Sequence, residues 1–170
     1  MFLDSAGKPI TDKSLTGPLA IAVPGLVPGL FEVHRLHGRL AWKELLADAI
    51  ALAEGGFIVG QELAAALEKE KLRLVKFPGS KKLFFKHQNE VLKVGDRLIQ
   101  RDLAKTLRTI ADKGKQGMTE GWVAEAIVNT ITKLGGQLTL EDMFLYQVKQ
   151  RYPIHANFFL HDFYFMPLPS

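Results

Sequence analysis

The chain has 170 residues, of which 47% are hydrophobic and 24% charged, with 22 basic against 18 acidic residues and no cysteine. This length and composition are typical of one folded domain with a sizeable core, and they exclude intrinsic disorder and a collagen-like repeat. The lack of cysteine excludes disulfides, a thiol nucleophile and cysteine metal sites. A dispersed net charge of +4 gives little support to a nucleic-acid or membrane partner.

The N-terminus carries no basic segment followed by an apolar stretch, so Met1–Lys8 is not predicted to be a signal peptide. No apolar run approaches the ~20 residues of a transmembrane helix. If the chain is expressed as written, we expect it to be soluble and cytoplasmic.

Apolar runs and Pro-Gly breaks predict the elements of the N-terminal third. Residues 1–18 are polar and contain scattered Gly and Pro, which predicts an irregular lead-in. Leu19–Val23 is a five-residue apolar run before a Pro-Gly pair, which predicts a buried strand. Helices are predicted at Gly29–His37 and at Trp42–Glu54, where apolar residues recur three and four positions apart.

The middle of the chain alternates helical spacing with breaks. Phe57–Val59 follows two glycines and is expected to fill the core, and Gly60–Leu74 has helical spacing that stops at Phe77–Ser80. In residues 81–100, apolar groups flank a polar centre, which predicts a short hairpin or an extended loop. A fourth helix is predicted from Asp102, at its cap or in its first turn, to Gly114.

The C-terminal part begins with a fifth predicted helix, Gly121–Leu134. Thr139–Asp142 resembles a capping box, which would open a short helix to Tyr146. After residue 147 the apolar period changes to that of strands. The two predicted strands are Tyr152–Ile154 and Phe158–Phe165, joined near Ala156 and Asn157. The sequence therefore predicts a helix-rich α+β fold with about six helices and a few short strands, in a single domain over residues 1–170.

Few residue patterns indicate chemistry. His34 and His37 lie three apart on a predicted helix, a spacing that can place two imidazoles beside one metal ion. Glu32 points elsewhere on that helix and nothing nearby completes the ligand set, so a structural role is favoured. The serines lack the Gly-x-Ser-x-Gly motif that presents a nucleophile. They are Ser5, Ser14, Ser80 and Ser170.

The remaining patterns also favour structural roles. His155 and His161 flank the predicted C-terminal turn, but His161 and Asp162 are neighbours on a strand and would face opposite sides. Residues 114–117 follow a helix and lack the full phosphate-loop spacing, which favours a turn. A basic and aromatic cluster could bind single strands, yet a solvated charge run beside core aromatics is favoured. Its members are Lys76, Phe77, Lys81, Lys82, Phe84, Phe85 and Lys86. The sequence therefore predicts no catalytic, cofactor-binding or metal-binding residue and no cofactor.

Short motifs nevertheless recur in a specific order along nearly the whole chain. They are Met1–Gly7, Ala22–Gly25, Gly29–Leu30, His37–Leu40, Ala49–Phe57, Gly95–Asp96, Leu103–Leu107, Gly135–Asp142, Tyr146, Arg151–Ile154 and Met166–Ser170. In this order they resemble an interior segment of the large subunit of the γ-glutamyltransferase family (γ-glutamyltranspeptidase, glutathione hydrolase).

The resemblance implies a partial piece of the N-terminal-nucleophile hydrolase (αββα) architecture. In that family a precursor cleaves itself, and the new N-terminal Thr of the small subunit attacks the γ-glutamyl amide of glutathione, with its own α-amine available as base. An upstream Arg holds the substrate carboxylate. None of these residues has a counterpart here, and Ser170 falls inside a motif that the family continues as Ser-Gly-Gly. We therefore expect a truncated gene product or an excised piece that is inactive alone.

The same resemblance suggests two kinds of partner, a complementary small-subunit fragment or a second copy bound through exposed apolar surface. Neither a nucleic acid nor a membrane is expected. Intact bacterial relatives in this family are typically periplasmic or secreted. The alternative is a non-catalytic helical binding module that kept the scaffold and lost the chemistry.

Overall fold

Helices dominate the computed structural model, which describes residues 2–168. The helices are α1 (Thr11–Leu15), α2 (Leu26–His37), α3 (Trp42–Gly55), α4 (Gln61–Leu74), α5 (Pro78–Phe84), α6 (Arg101–Lys113), α7 (Gln116–Thr119), α8 (Gly121–Lys133) and α9 (Leu140–Leu145). The strands are β1 (Phe57–Ile58), β2 (Arg97–Leu98), β3 (Ile154–Phe158) and β4 (His161–Phe165). Met1, Pro169 and Ser170, which belong to motifs considered above, lie outside the described residues.

The six predicted helices are all present as α2, α3, α4, α6, α8 and α9. α2 starts at Leu26 rather than Gly29. Pro28 fits the first turn because the N–H groups there have no partner within the helix, so the N–H that proline lacks costs no hydrogen bond. Asp102 lies in the first turn of α6, as predicted. The capping box is also confirmed. The Thr139 hydroxyl accepts from the Asp142 N–H at 3.0 Å, and the Asp142 carboxylate accepts from the Thr139 N–H at 2.9 Å.

Three short helices, α1, α5 and α7, were not predicted. In α5 the break at Phe77–Ser80 both ends α4 and starts the next helix, because Pro78 occupies the first helical position. Residues 114–117 form the predicted turn, in which the Gly117 N–H donates to the Gly114 carbonyl at 3.1 Å, and α7 begins within it and packs against α6. Helices of four to seven residues offer too little apolar periodicity to be recognised in sequence.

The predicted buried strand at Leu19–Val23 is wrong. Pro18–Ala20 form a 3₁₀ turn, and the chain then runs extended to Pro24 without pairing to any strand in the described part of the chain. Ile21 keeps 47% of its surface exposed. An apolar run becomes a strand only when a neighbouring strand accepts its hydrogen bonds.

The short hairpin predicted in residues 81–100 is present around a turn at His87–Asn89: Phe85 bridges Val91 antiparallel, and the Leu92 N–H donates to the Phe84 carbonyl at 2.9 Å. Beyond it, β2 pairs with β1 and places Leu98 opposite Phe57. Val59 lies just after β1, where its N–H donates to the Asp96 carbonyl at 2.7 Å. Val59 is fully buried and Phe57 packs against it in part, as predicted, whereas Ile58 is 56% exposed.

Buried apolar side chains form two separate clusters. The first core contains Val59, Leu67, Val91, Leu92 and Leu98. The second core contains Ala124, Ile131, Leu138 and Met143. In addition α3 packs on α6, and α6 on α7. α6 and α8 each bury three residues, whereas in α2 only Pro28 is buried.

β3 and β4 form a hairpin in which Ile154 opposes Phe165 and Phe158 opposes His161. The turn lies at Phe159 and Leu160, whose φ values of 48° and 62° fit a type I′ turn. The predicted junction near Ala156 and Asn157 is wrong, since both lie inside β3. All ten strand residues are exposed.

Candidate functional site

The polar face of the C-terminal hairpin brings together a histidine and a carboxylate. The register places His155 opposite Tyr164 and Asn157 opposite Asp162, all on one face. His155 Nε2 lies 2.7 Å from Asp162 Oδ1, and the His155 ring stacks on Tyr164 with 4.8 Å between centroids. Asn157 Nδ2 donates to the same carboxylate oxygen at 3.4 Å.

Sequence reasoning missed this pair. The expectation that His161 and Asp162 face opposite sides is confirmed, because His161 lies opposite Phe158 on the other face. The real partner of Asp162 is His155, diagonally across the hairpin. A turn placed at residues 159–160 would have revealed it, whereas the predicted turn near residue 156 gave the wrong register. Both side chains are more than half exposed, so the contact is screened by water.

His34 has a structural role, as favoured from the sequence. Its Nε2 lies 2.8 Å from the Leu40 carbonyl oxygen and must donate, because a carbonyl only accepts. The His34 ring also lies 5.3 Å from the ring of Trp42. Among residues 2–168, no group of three or more His, Cys, Asp or Glu side chains is placed to hold a metal ion.

Hydroxyl groups are used locally rather than activated. Ser14 Oγ donates to the Thr11 carbonyl at 2.9 Å, and the Thr139 hydroxyl donates to Asp142 Oδ2 at 2.6 Å within the helix cap. In the hydrogen bonds of the described residues, no serine or threonine hydroxyl contacts a histidine ring or a lysine amine. These hydroxyls thus hold turns and a helix cap.

The basic and aromatic cluster is divided between core and surface. The rings of Phe84 and Phe85 pack against the first core, while Lys86 forms an ion pair with Asp96. The pKa of Asp96 is lowered chiefly by the hydrogen bond from Lys86 and then by the Lys93 backbone N–H, which donates to Oδ2 at 2.6 Å. The rings of Phe84 and Phe85 are thus partly buried against apolar side chains, and Lys86 is paired at the surface.

A neighbouring pair in the same loop, Glu90 and Lys93, forms a second surface ion pair. The pKa of Glu90 is lowered mainly by the hydrogen bond from Lys93, and the pKa of Lys93 is raised by the same contact. Both groups are solvent-exposed, so these pKa shifts describe surface pairing rather than a tuned catalytic group.

Within residues 2–168, no helix combines the length and apolar character that a membrane crossing requires.

Comparison with known proteins identifies a family, which the hydrogen bonds and ion pairs described above do not. The family model described as gamma-glutamyltranspeptidase matches residues 1–170. The glutathione hydrolase proenzyme of Escherichia coli is 36% identical over 170 residues, covering 100% of this chain and 29% of that protein. The chain therefore spans about three tenths of the length of this curated relative.

Solved structures agree with the sequence comparison. The crystal structure of gamma-glutamyltranspeptidase from Helicobacter pylori matches with a TM-score of 0.96 and 38% identity, over 100% of this chain and 49% of that chain. Cephalosporin acylase from Bacillus halodurans matches with a TM-score of 0.66 and 29% identity, over 76% of this chain and 25% of that chain. These likenesses confirm the predicted fold class, a helix-rich α+β piece of the N-terminal-nucleophile hydrolase architecture.

Proposed function

We propose, because this chain belongs to the gamma-glutamyltranspeptidase family, that it forms part of the scaffold of an enzyme that transfers or hydrolyses the γ-glutamyl group of glutathione. In this role the chain holds helices and a hairpin against a second polypeptide, and the second polypeptide provides the nucleophilic threonine. The chain alone is catalytically silent. Its active form is an assembly of the two polypeptides.

The observation that carries this proposal is the large exposed surface. The chain exposes 12846 Å². A compact monomer of 18.9 kDa is expected to expose only about 8,300 Å². The excess on this one chain, on the order of 4,500 Å², lies far above the share that one partner contributes to a transient interface, since even obligate interfaces bury about 2,000–5,000 Å² counted over both partners. Much of it is apolar, including Leu36, Phe144 and Phe158. A partner that covers this surface is therefore part of the functional unit.

The local chemistry supports silence of the isolated chain. Among the described residues, the closest histidine and carboxylate, His155 and Asp162, lie on an open hairpin face without a neighbouring hydroxyl nucleophile in their hydrogen bonds. Covalent catalysis needs a nucleophile and its base in contact, together with donors for the developing oxyanion.

A chimera tests the proposal directly. Residues 1–170 replace the aligned segment of the Escherichia coli glutathione hydrolase proenzyme, and hydrolysis of γ-glutamyl-p-nitroanilide is measured beside the isolated chain. We expect turnover from the chimera and none above buffer from the isolated chain. The matched control is the same chimera with the host's nucleophilic threonine changed to alanine, which should be inactive.

Two results would contradict the proposal. Turnover by the isolated chain that survives repurification would show that it carries its own nucleophile. A chimera that folds and processes correctly but stays inactive would instead favour the non-catalytic binding module, because that module shares the exposed surface and needs no remaining enzyme.

A further inference from the structure

One continuous stretch of the chain, Phe57–Leu98, supplies the whole of the first core, and we call this stretch the lobe. It contains β1, α4, α5 and β2. All buried residues of the first core lie in it, and so do the partly buried side chains that pack against them. The second core draws no residue from the lobe. The first core is therefore closed by side chains that are local in sequence.

The two ends of the lobe are held together by β1 and β2. Phe57 lies opposite Leu98 in the antiparallel register. One residue further in, the Val59 N–H donates to the Asp96 carbonyl at 2.7 Å. Opposed residues of such a pair lie only about 5 Å apart. The chain therefore enters and leaves the lobe at one point.

Few polar contacts join the lobe to the rest of the chain. The ion pair of Lys86 with Asp96 connects two parts of the lobe to each other. Among the side-chain hydrogen bonds and ion pairs of residues 2–168, one crosses the boundary, in which Arg97 Nη1 donates to the Gly55 carbonyl at 2.8 Å. Between α1 and the end of α4 lies an open depression. The lobe is thus attached mainly through its paired ends.

The helices that carry the lobe are held together without it. α3 precedes the lobe, α6 follows it, and the two helices pack on each other. Just below the paired ends, the Gln100 N–H donates to the Ala53 carbonyl at 2.8 Å. At the other end of α3, Trp42 Nε1 donates to the Ile110 carbonyl at 3.0 Å. These contacts use no residue of the lobe, so they persist when the lobe opens.

We propose that the lobe is a separate cooperative unit, which unfolds and refolds as a whole while α3, α6, α7 and α8 remain folded. Stretches with their own buried contacts open in this way, at free energies below that of global unfolding. A single core in roughly 40 residues is marginally stable. The lobe therefore opens before the remaining helices do. This opening follows from contacts within the chain and stands apart from the proposed enzymatic role.

A disulfide across the paired ends tests the proposal, because the chain has no native cysteine. Ile58 and Arg97 oppose each other. They alternate with the hydrogen-bonded pair at Val59, so their Cα atoms lie about 4.5 Å apart, within disulfide range. Ile58 is 56% exposed, so the double variant Ile58→Cys, Arg97→Cys leaves the first core intact.

The readout is native-state hydrogen exchange of the full-length double variant, followed by mass spectrometry. Closing the ends restricts the opened lobe, so we expect oxidation to slow exchange in the lobe by about 100-fold. Exchange in α6 and α8 should stay unchanged. The reduced form of the same variant is the control, since it also lacks the hydrogen bond from Arg97 to Gly55.

Two matched core truncations give an independent test. Val59 is buried in the lobe and Val123 is buried in α8. Val59→Ala should speed exchange by about tenfold throughout the lobe and leave α8 unchanged, whereas Val123→Ala should speed exchange in α8 and leave the lobe unchanged. Far-UV circular dichroism checks that the helices outside the lobe remain.

Three outcomes would overturn the proposal. The first is a disulfide that slows α6 and α8 as much as the lobe. The second is an equal acceleration of the same amides by Val59→Ala and Val123→Ala. The third is a loss of the α3, α6 and α8 helices in Val59→Ala. None of these measurements uses enzymatic activity or a second polypeptide, so a failure here is distinct from a failure of the chimera.

Discussion

At the scale of single residues, Gly117 lies so close to the backbone of α6 that a larger residue would clash there. A β-carbon built on Gly117 would lie 2.4 Å from the Thr109 carbonyl oxygen and 2.8 Å from the Ile110 Cα, both in the backbone of α6. Gly117→Ala should lower the free energy of unfolding by about 1–3 kcal/mol, because a helix backbone cannot give way as a side chain can. Urea denaturation followed by circular dichroism measures this change.

A matched control for Gly117 lies in α2. Gly29 is also helical, and a β-carbon there would meet nothing within 4 Å. Gly29→Ala should therefore be neutral or stabilising by roughly 0.5–1 kcal/mol through helix propensity. Equal destabilisation by the two variants would show that α7 does not pack on α6 as described.

Asp142 carries a pH-dependent contribution at the same scale. Its pKa is lowered from 3.8 by the Thr139 side-chain hydrogen bond first and the Thr139 backbone N–H second. A carboxyl whose pKa is lowered by folding stabilises the fold above its unfolded pKa, and this contribution is lost as the pH falls through the folded pKa. The difference in Tm between the wild type and Asp142→Asn should therefore be positive at neutral pH and vanish in acid.

Glu141→Gln provides the control for Asp142. Glu141 lies in the same first turn of α9 but not in the capping box. At neutral pH, Glu141→Gln should change the Tm less than Asp142→Asn does, because Glu141 makes none of the capping-box hydrogen bonds. A pH-independent difference for Asp142→Asn would contradict an ionised capping box.

At the scale of elements, Trp42 links the start of α3 to the end of α6. Its Nε1 donates to the Ile110 carbonyl at 3.0 Å, and its ring meets Phe31 edge-on at 5.1 Å. Trp42→Phe keeps the aromatic packing and removes the donor, which should cost about 1 kcal/mol. Trp122→Phe is the control, because Trp122 is itself exposed and water can replace its bond to Thr109. Chemical denaturation of the two variants compares them, and an equal loss of stability would contradict a partly buried Trp42 contact.

The same scale explains which elements were predictable. α3 and α8 carry their apolar stripes within one stretch of sequence, so spacing alone located them. The strand predicted at Leu19–Val23 is wrong because a strand needs a neighbouring strand, which its own sequence does not specify. The His155–Asp162 contact was not predicted for a related reason. It depends on the hairpin register, and the turn that sets this register is made by two apolar residues with positive φ.

At the scale of the whole molecule, the chain has two small cores and an exposed hairpin, and it buries only part of its apolar surface. The first core gathers α4 and the loop residues around β1 and β2, and the second gathers α8 and α9. Each core is small and one-sided. Helices such as α2 keep large apolar residues facing outward, among them Leu30 and Leu36, each about half exposed. We expect the proposed second polypeptide to cover these outward-facing apolar residues.

This exposed surface predicts strong dye binding by the isolated chain. The fluorescence of 8-anilinonaphthalene-1-sulfonate should rise on addition of the folded chain at neutral pH and fall when urea unfolds it, because the dye needs organised apolar patches. The chimera should bind far less dye per molecule, since the host segments cover the same faces. Native circular dichroism with dye fluorescence no higher than in buffer would mean that the apolar faces are already covered.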